Sequence, residues 1–160
     1  MSVDMFLKVD GILGESRDHQ HGEEMEIIEH GWAMTSPRDS FSGMASGAPR
    51  VDNLTLVKRV DKGTPKFIEA LTRNKRLKEA VLSFRKAGLQ AEGKPQMDFL
   101  VITLTDVFVV NWQPAGEDSE ALLEKVTFNF RKFSTAYFGQ KRDGTPEGKI
   151  EVTWDAAAHR

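Results

Sequence analysis

The sequence contains no cysteine. This absence excludes a disulfide framework, a thiol nucleophile, a CxxC zinc site and an iron–sulfur cluster. An excess of either charge is also missing, because 22 Lys and Arg stand against 24 Asp and Glu, for a net charge of −2. That balance argues against a generally basic nucleic-acid binder.

Long apolar segments are missing as well. No run approaches the ~20 apolar residues of a membrane span, so we expect no integral membrane segment. The N-terminus lacks the basic start and apolar stretch of a secretory signal. A chain of 160 residues can bury roughly 68–70% of its unfolded surface, and so requires no metal or disulfide for its core. We expect one soluble domain, residues 1–160.

Signatures of catalysis are absent too. The sequence has no GxSxG elbow, no HExxH and no GxxxxGK[ST] phosphate loop. Its adjacent carboxylates, Glu23-Glu24 and Glu117-Asp118, fall in loop-like segments and are interpreted as surface charge. We therefore expect no catalytic residue and no cofactor.

Histidines provide the best candidate for a metal site. His19 and His21 would share one face of an extended chain, and His30 follows downstream. A polar, Gly-containing loop before a strand explains the same residues, and no third ligand is evident. A small metal-dependent enzyme is kept as an alternative function.

Alternation of apolar and polar residues predicts a mainly β protein. It is clear at Val3–Val9 and Val126–Phe130, and Phe99–Trp112 is apolar on both faces, as expected of a central strand. Gln113–Ser119 is predicted to be a loop leading into a strand that begins near Leu123. Further strands are predicted near Met25–Met34, Val51–Val60, Ala80–Ala87 and Lys149–Trp154.

One short helix is also predicted. Thr64 is a suitable N-cap, Pro65 suits the first helical position, and the helix should end near Asn74. Its apolar stripe consists of Phe67, Ile68, Ala70 and Leu71. About seven strands and one helix indicate a closed or nearly closed antiparallel β-barrel, or two packed sheets, with a flanking helix.

The segment Thr35–Arg50 has neither strand nor helix periodicity. A connection of this length inside one domain is usually functional or mobile. Phe41 and Met44 are apolar residues of the kind that a docking loop exposes. We expect a long extended loop used for docking, with a merely mobile insertion as the alternative.

Charges are segregated along the chain. Residues 1–31 hold eight acids and two bases, whereas residues 58–78 hold eight bases and two acids. We hypothesise that acidic and basic surfaces of successive subunits meet in a heterologous contact that closes into a ring. The candidates are Glu23, Glu24, Glu26, Lys58, Arg59, Lys62, Arg73 and Arg76. Two solvated faces, or a nucleic-acid-binding β-barrel using the basic segment, are the alternatives.

Five collinear blocks resemble one family, the hemolysin-coregulated proteins (Hcp) of type VI secretion systems. The blocks are Met5–Ile12 with Gly14–Ser16, Val60–Pro65, Phe84–Gly88, Phe99–Val107, and Glu124–Phe130 leading to Gln140–Gly144. The resemblance implies a β-barrel whose homohexameric rings stack into a hollow tube. It also implies a VgrG-type spike, a contractile sheath and secreted effectors as partners, with effectors held in the lumen.

The resemblance further implies a structural protein without enzymatic activity, cofactor or nucleic acid. Such a protein resides in the bacterial cytoplasm before firing and is then secreted without a classical signal peptide. Thr35–Val51 falls where the family has its extended loop. Inter-subunit or inter-ring contacts are therefore expected from Arg38, Asp39, Ser40, Phe41, Met44 and Arg50.

Overall fold

Nine strands and one helix make up the part of the chain that the computed structural model describes, residues 3–86, 97–119, 121–142 and 145–158. In chain order they are β1 (Val3–Val9), β2 (Met25–Gly31), β3 (Met34–Thr35), β4 (Arg50–Val51), β5 (Leu54–Arg59), α1 (Thr64–Thr72), β6 (Leu77–Lys86), β7 (Asp98–Glu117), β8 (Leu122–Gln140) and β9 (Pro146–Asp155). The ends of two family-like blocks, Ala87–Gly88 and Asp143–Gly144, lie outside the described residues.

Six of these strands close a barrel. The order β5-β2-β1-β6-β7-β8 returns to its start because β8 also pairs with β5, and every pairing is antiparallel. The first half of β8, Leu123–Phe128, pairs with β5, and its second half, Lys132–Gln140, pairs with β9. β3 and β4 form a separate small sheet. The predicted antiparallel barrel with one flanking short helix is confirmed.

The barrel core follows from the alternation in the strands. Val126, Phe128 and Phe130 are buried as predicted, while Asn129 between them is exposed. The helix covers one end of the barrel, where Phe67 packs edge-on against Phe128 with ring centroids 5.8 Å apart. Such edge-to-face pairs add to the stabilisation from apolar burial.

The helix begins one residue away from the predicted cap. Thr64 is the first helical residue and Gly63 occupies the N-cap position, so the N-cap prediction for Thr64 was wrong. The Thr64 hydroxyl accepts the N–H of Asp61 at 3.1 Å and donates to Glu124 at 2.9 Å, so it is engaged in other hydrogen bonds. The helix ends at Thr72, and Ile68 of the predicted stripe is partly exposed.

The prediction of a loop over Gln113–Ser119 was also wrong for most of that segment. β7 continues to Glu117, because Gln113 and Pro114 remain paired with Lys125 and Glu124 of β8. The register shifts between Pro114 and Glu117, and this irregularity accommodates both the proline and Gly116 at a φ of 95°. The predicted strands at 25–34 and 51–60 each divide into two, giving β2 with β3 and β4 with β5.

A buried ion pair joins four elements at the helix end of the barrel. Lys58 of β5 and Glu124 of β8 are almost completely buried, and Lys58 Nζ lies 2.5 Å from Glu124 Oε1. Lys58 also contacts Asp61 at 3.0 Å and donates to the carbonyl of Arg59. Glu124 accepts the Trp112 indole N–H of β7 at 2.7 Å and the hydroxyl of Thr64, which begins α1.

Replacing Glu124 with Gln should lower the free energy of unfolding by about 3 kcal/mol, because Lys58 would lose its closest counter-charge inside the barrel. The matched control is the double variant Lys58→Met with Glu124→Leu, which removes both charges and should recover much of the loss. Urea denaturation measures both. A double variant less stable than Glu124→Gln would contradict this account.

Replacing Gly14 with Ala should also destabilise the protein, by about 1–3 kcal/mol, because a methyl group there overpacks the site. An added Cβ would lie 2.4 Å from Met25 Cγ and 2.5 Å from the Glu24 carbonyl oxygen. Gly31→Ala is the control, since a Cβ at Gly31 meets nothing within 4 Å. Thermal unfolding should separate the two variants, and equal midpoints would show that the Gly14 contact can relax.

Candidate functional site

The segment predicted as a loop is a projecting β-hairpin, which we call the arm (residues 34–51). Its base is the pairing of β3 with β4, Met34 opposite Val51 and Thr35 opposite Arg50. A further bridge between Arg38 and Ala45 continues the hairpin toward its tip. The arm therefore has backbone pairing at its base and again near its tip, although its side chains show no periodicity.

Asp39 closes the tip of the arm. Its Oδ1 accepts the backbone N–H groups of Phe41 at 2.9 Å and Ser42 at 2.8 Å, and the Ser42 hydroxyl as well. These hydrogen bonds, led by that of the Ser42 N–H, hold the pKa of Asp39 below its usual value. The backbone of Asp39 donates to the carbonyl of Met44, and Gly43 turns the chain at a φ of 71°.

The root of the arm is anchored to the barrel by Trp32. Its indole N–H donates to the carbonyl of Asp52 at 2.8 Å, and its ring packs edge-on against Phe133 at 5.0 Å. The backbone of Asp52 in turn donates to the carbonyl of Ala33. Trp32 was not among the predicted site residues, although a lone Trp directly before an aperiodic segment was a usable signal.

Beyond this root the arm is exposed throughout. Every residue from 33 to 50 is exposed, including the predicted contact residues Arg38, Asp39, Ser40 and Arg50. Phe41 is 100% exposed and Met44 68%. Large apolar side chains held outward on an ordered support are typical of binding anchors.

The structure changes the set of candidate charge-surface residues. Lys58 is buried in the ion pair with Glu124, so its assignment to a surface was wrong; the charge count along the chain could not reveal its partner. Glu24 is mostly buried against His21. Two further candidates have acidic partners within the subunit, since Arg59 pairs with Asp118 and Arg76 pairs with Asp106. The remaining candidates are exposed: Glu23, Glu26, Lys62 and Arg73.

The structure does not bring the candidate metal histidines, His19, His21 and His30, together in one site. His19 is exposed in a bend, and His30 contacts the sulfur of Met5. His21 is buried between two carboxylates, with Nδ1 3.0 Å from Glu24 and Nε2 2.9 Å from Asp98. Within the described ranges, no group of three His, Asp or Glu side chains is arranged to hold a metal ion.

His21 belongs to a cluster that ties the loop before β2 to three strands. Its ring stacks on Phe6 of β1 at 4.3 Å, and the Arg85 guanidinium of β6 lies 4.9 Å from the centre of the same Phe6 ring. Arg85 pairs with Asp18 through two hydrogen bonds of 3.0 and 2.6 Å and also contacts Asp4 at 3.3 Å. The hydrogen bond from Arg85 holds the pKa of Asp18 well below its usual range.

Burial lowers the pKa of His21, but the hydrogen bonds to Asp98 and Glu24 outweigh it, and the net pKa is raised. A raised pKa in the folded state means that His21 stabilises the fold fully below its unfolded pKa of about 6.5. This contribution is lost as the pH rises through the folded pKa.

We therefore expect the stability difference between the wild type and His21→Gln to be largest in mildly acidic buffer and to shrink in alkaline buffer. Denaturant titrations at a series of pH values measure it, with the exposed His30→Gln as the control. A difference that grows with pH would contradict the charged state assigned to His21.

No helix among the described residues is long and apolar enough to cross a membrane.

Comparison with known proteins agrees with the resemblance seen in the sequence. The family model described as "Type VI secretion system effector, Hcp" matches residues 6–137. Protein hcp1 of Pseudomonas aeruginosa is 36% identical over 159 residues, which cover 97% of this chain and 96% of that protein.

Solved structures have the same fold. The crystal structure of Hcp1 from Salmonella typhimurium is 29% identical with a TM-score of 0.78, covering 99% of this chain and 97% of that one. A structure of a type six secretion system protein is similar in fold, with a TM-score of 0.87 at 22% identity and 99% of both chains covered. With a barrel, an arm and a family model that spans most of its length, the chain belongs to the Hcp family of type VI secretion tube proteins.

Proposed function

We propose that this chain is a ring-forming structural subunit whose homohexamers stack into the hollow inner tube of a type VI secretion system. A contractile sheath surrounds the tube, a VgrG-type spike caps it, and effectors travel in its lumen. The subunit is held in the cytoplasm until firing and then leaves the cell with the tube. It performs no catalysis and requires no cofactor. Family membership supports this proposal.

The arm is the observation that carries the assembly part of the proposal. Its root is fixed by Trp32 and its tip by Asp39, so Phe41 is presented at a defined position while remaining fully exposed. An exposed Phe on an ordered hairpin does not contribute to the folding of its own barrel. It gains burial only when another surface covers it, and in a tube that surface is another subunit.

The barrel is suited to polymerisation through chosen surfaces. Six strands pair around a closed circuit, so open pairing positions within the described strands are largely limited to β9, which lies outside the circuit and pairs only with β8. Contacts can then be confined to projecting elements such as the arm and to charged side chains such as Glu23, Glu26, Lys62 and Arg73, all of which are exposed.

Negative-stain electron microscopy of the purified chain tests the ring. Six-fold rings with a central hole are expected, and native mass spectrometry should give six copies. Uniform monomers at micromolar concentration would contradict the proposal.

Replacing Phe41 and Met44 together with Ser should leave the fold and the ring intact and weaken contacts between rings at least tenfold. Loss of exposed apolar anchors affects binding more than folding. The control carries Ser40→Ala and Ser46→Ala on the same arm. Circular dichroism reports the fold, and the length distribution of stacks in micrographs reports the contact. Unchanged stack lengths would show that these side chains make no contact between rings.

A further inference from the structure

The loop before β2 contains a short strap, residues 17–22, that lies against the barrel wall. The ends of the strap are held together by the backbone, because the Glu23 N–H donates to the Ser16 carbonyl at 2.8 Å. Of the strap residues, His21 is buried, and its ring stacks on Phe6 of β1. The strap is therefore a closed loop that is attached to the barrel through few side chains.

Two clasps hold the strap on the barrel. The first joins Asp18 to the Arg85 guanidinium of β6 through hydrogen bonds of 3.0 and 2.6 Å. The second joins His21 to Asp98 at the start of β7, at 2.9 Å. Since β6 and β7 are adjacent strands, the strap crosses from one to the other and is fixed at two points of different chemistry.

The first clasp keeps its charges in acidic and alkaline buffer alike. The hydrogen bond from Arg85 holds the pKa of Asp18 well below its usual range, and the same bond raises the pKa of Arg85. Asp18 Oδ1 also accepts the backbone N–H groups of Gln20 and His21, which gives the strap its turn. This end of the strap can therefore act as a hinge.

The second clasp requires a charged imidazole. Carboxylate oxygens face both ring nitrogens of His21, from Asp98 at 2.9 Å and from Glu24 at 3.0 Å. A carboxylate accepts hydrogen bonds only, and the imidazolium alone donates from both nitrogens. After loss of a proton, the ring turns a lone pair toward one of the two carboxylates. Both carboxylates are mostly buried, so water does little to relieve that contact.

Charges on the surrounding elements favour opening once His21 is neutral. The acidic groups are Asp18 and Glu24 of the loop, Asp4 of β1, Glu26 of β2 and Asp98 of β7. The basic groups are Arg85 of β6, Arg59 of β5 along the adjoining notch, and Arg17 and His19 of the strap, which are exposed. The carboxylates outnumber the arginines, so loss of the His21 charge leaves an excess of negative charge around a buried ring.

Movement of the strap would uncover an aromatic surface. Phe6 is 3% exposed, with the His21 ring stacked on it at 4.3 Å. A notch of about 230 Å³ adjoins the strap, and its lining includes Phe6, Asp18 and Arg85. Departure of His21 would therefore expose Phe6 and widen this notch.

We propose that the strap is a lid operated by one proton. With His21 charged, the strap lies closed on Phe6; when His21 loses its proton, the strap leaves Asp98 and swings about the clasp of Asp18 with Arg85. Burial lowers the pKa of His21, but the hydrogen bonds outweigh it, and the net pKa is raised. The lid is therefore closed in mildly acidic buffer and opens as the pH rises through the folded pKa. It operates within a single subunit, so the inference is independent of the proposed ring.

A spin label on the strap tests the lid, because the chain has no cysteine of its own. Gln20 is exposed, and Gln20→Cys provides the site for a nitroxide. The ratio of mobile to immobile label in the electron paramagnetic resonance spectrum should rise at least fivefold between about pH 6 and about pH 9. The His21 imidazole signal in NMR spectra should titrate with the same midpoint.

The control label is placed at Glu79→Cys, which is exposed on β6, and its spectrum should not change over this range. Unchanged mobility of the strap label, or a midpoint that differs from the His21 titration, would overturn the inference.

Two variants separate proton control from a structural role. His21→Gln cannot gain a proton, so its strap label should show no transition, whereas the matched His30→Gln should follow the wild type. Asp98→Asn keeps the imidazole and removes one of the carboxylates that raise its pKa, so the transition should move to lower pH.

A transition that persists in His21→Gln, or an unmoved midpoint in Asp98→Asn, would contradict the lid. Circular dichroism verifies that each variant is folded. If His21→Gln fails to fold, the direction of the shift in Asp98→Asn decides.

Discussion

Burial of Lys58 and Glu124 carries a desolvation cost that their mutual contact and their remaining hydrogen bonds must offset. The structure provides these bonds through Asp61 in the connection after β5, Thr64 of α1 and Trp112 of β7. The pair therefore fixes where α1 begins, where β5 ends and how β7 and β8 meet at that end of the barrel.

The two ends of the barrel differ in physical character. One end is covered by the helix and held by the buried ion pair. The other carries the arm, whose root is packed against aromatic side chains and whose tip exposes all of Phe41 and most of Met44. A subunit with different surfaces at its two ends can add to a neighbour in one direction.

Much of the fold was predictable from local patterns. Strand alternation identified β1 and β8, a run that is apolar on both faces identified β7, and Pro65 marked the start of α1 to within one residue. The exposure of Phe41 was predicted because its segment lacks any periodicity that would bury it. The continuation of β7 through Pro114 was missed, since turn-like composition predicts a loop, whereas pairing with β8 keeps the backbone extended.

The sequence by itself determined a mainly β chain with one short helix, an exposed apolar tip and membership of the Hcp family, because periodicity and collinear blocks are local properties. Only the tertiary structure decided the contacts between distant residues. It buried Lys58 against Glu124, 66 residues away, and placed His21 on Asp98, 77 residues away. It also put the arm and α1 at opposite ends of the barrel. Such partners are chosen by strand order and barrel closure, which no local pattern specifies.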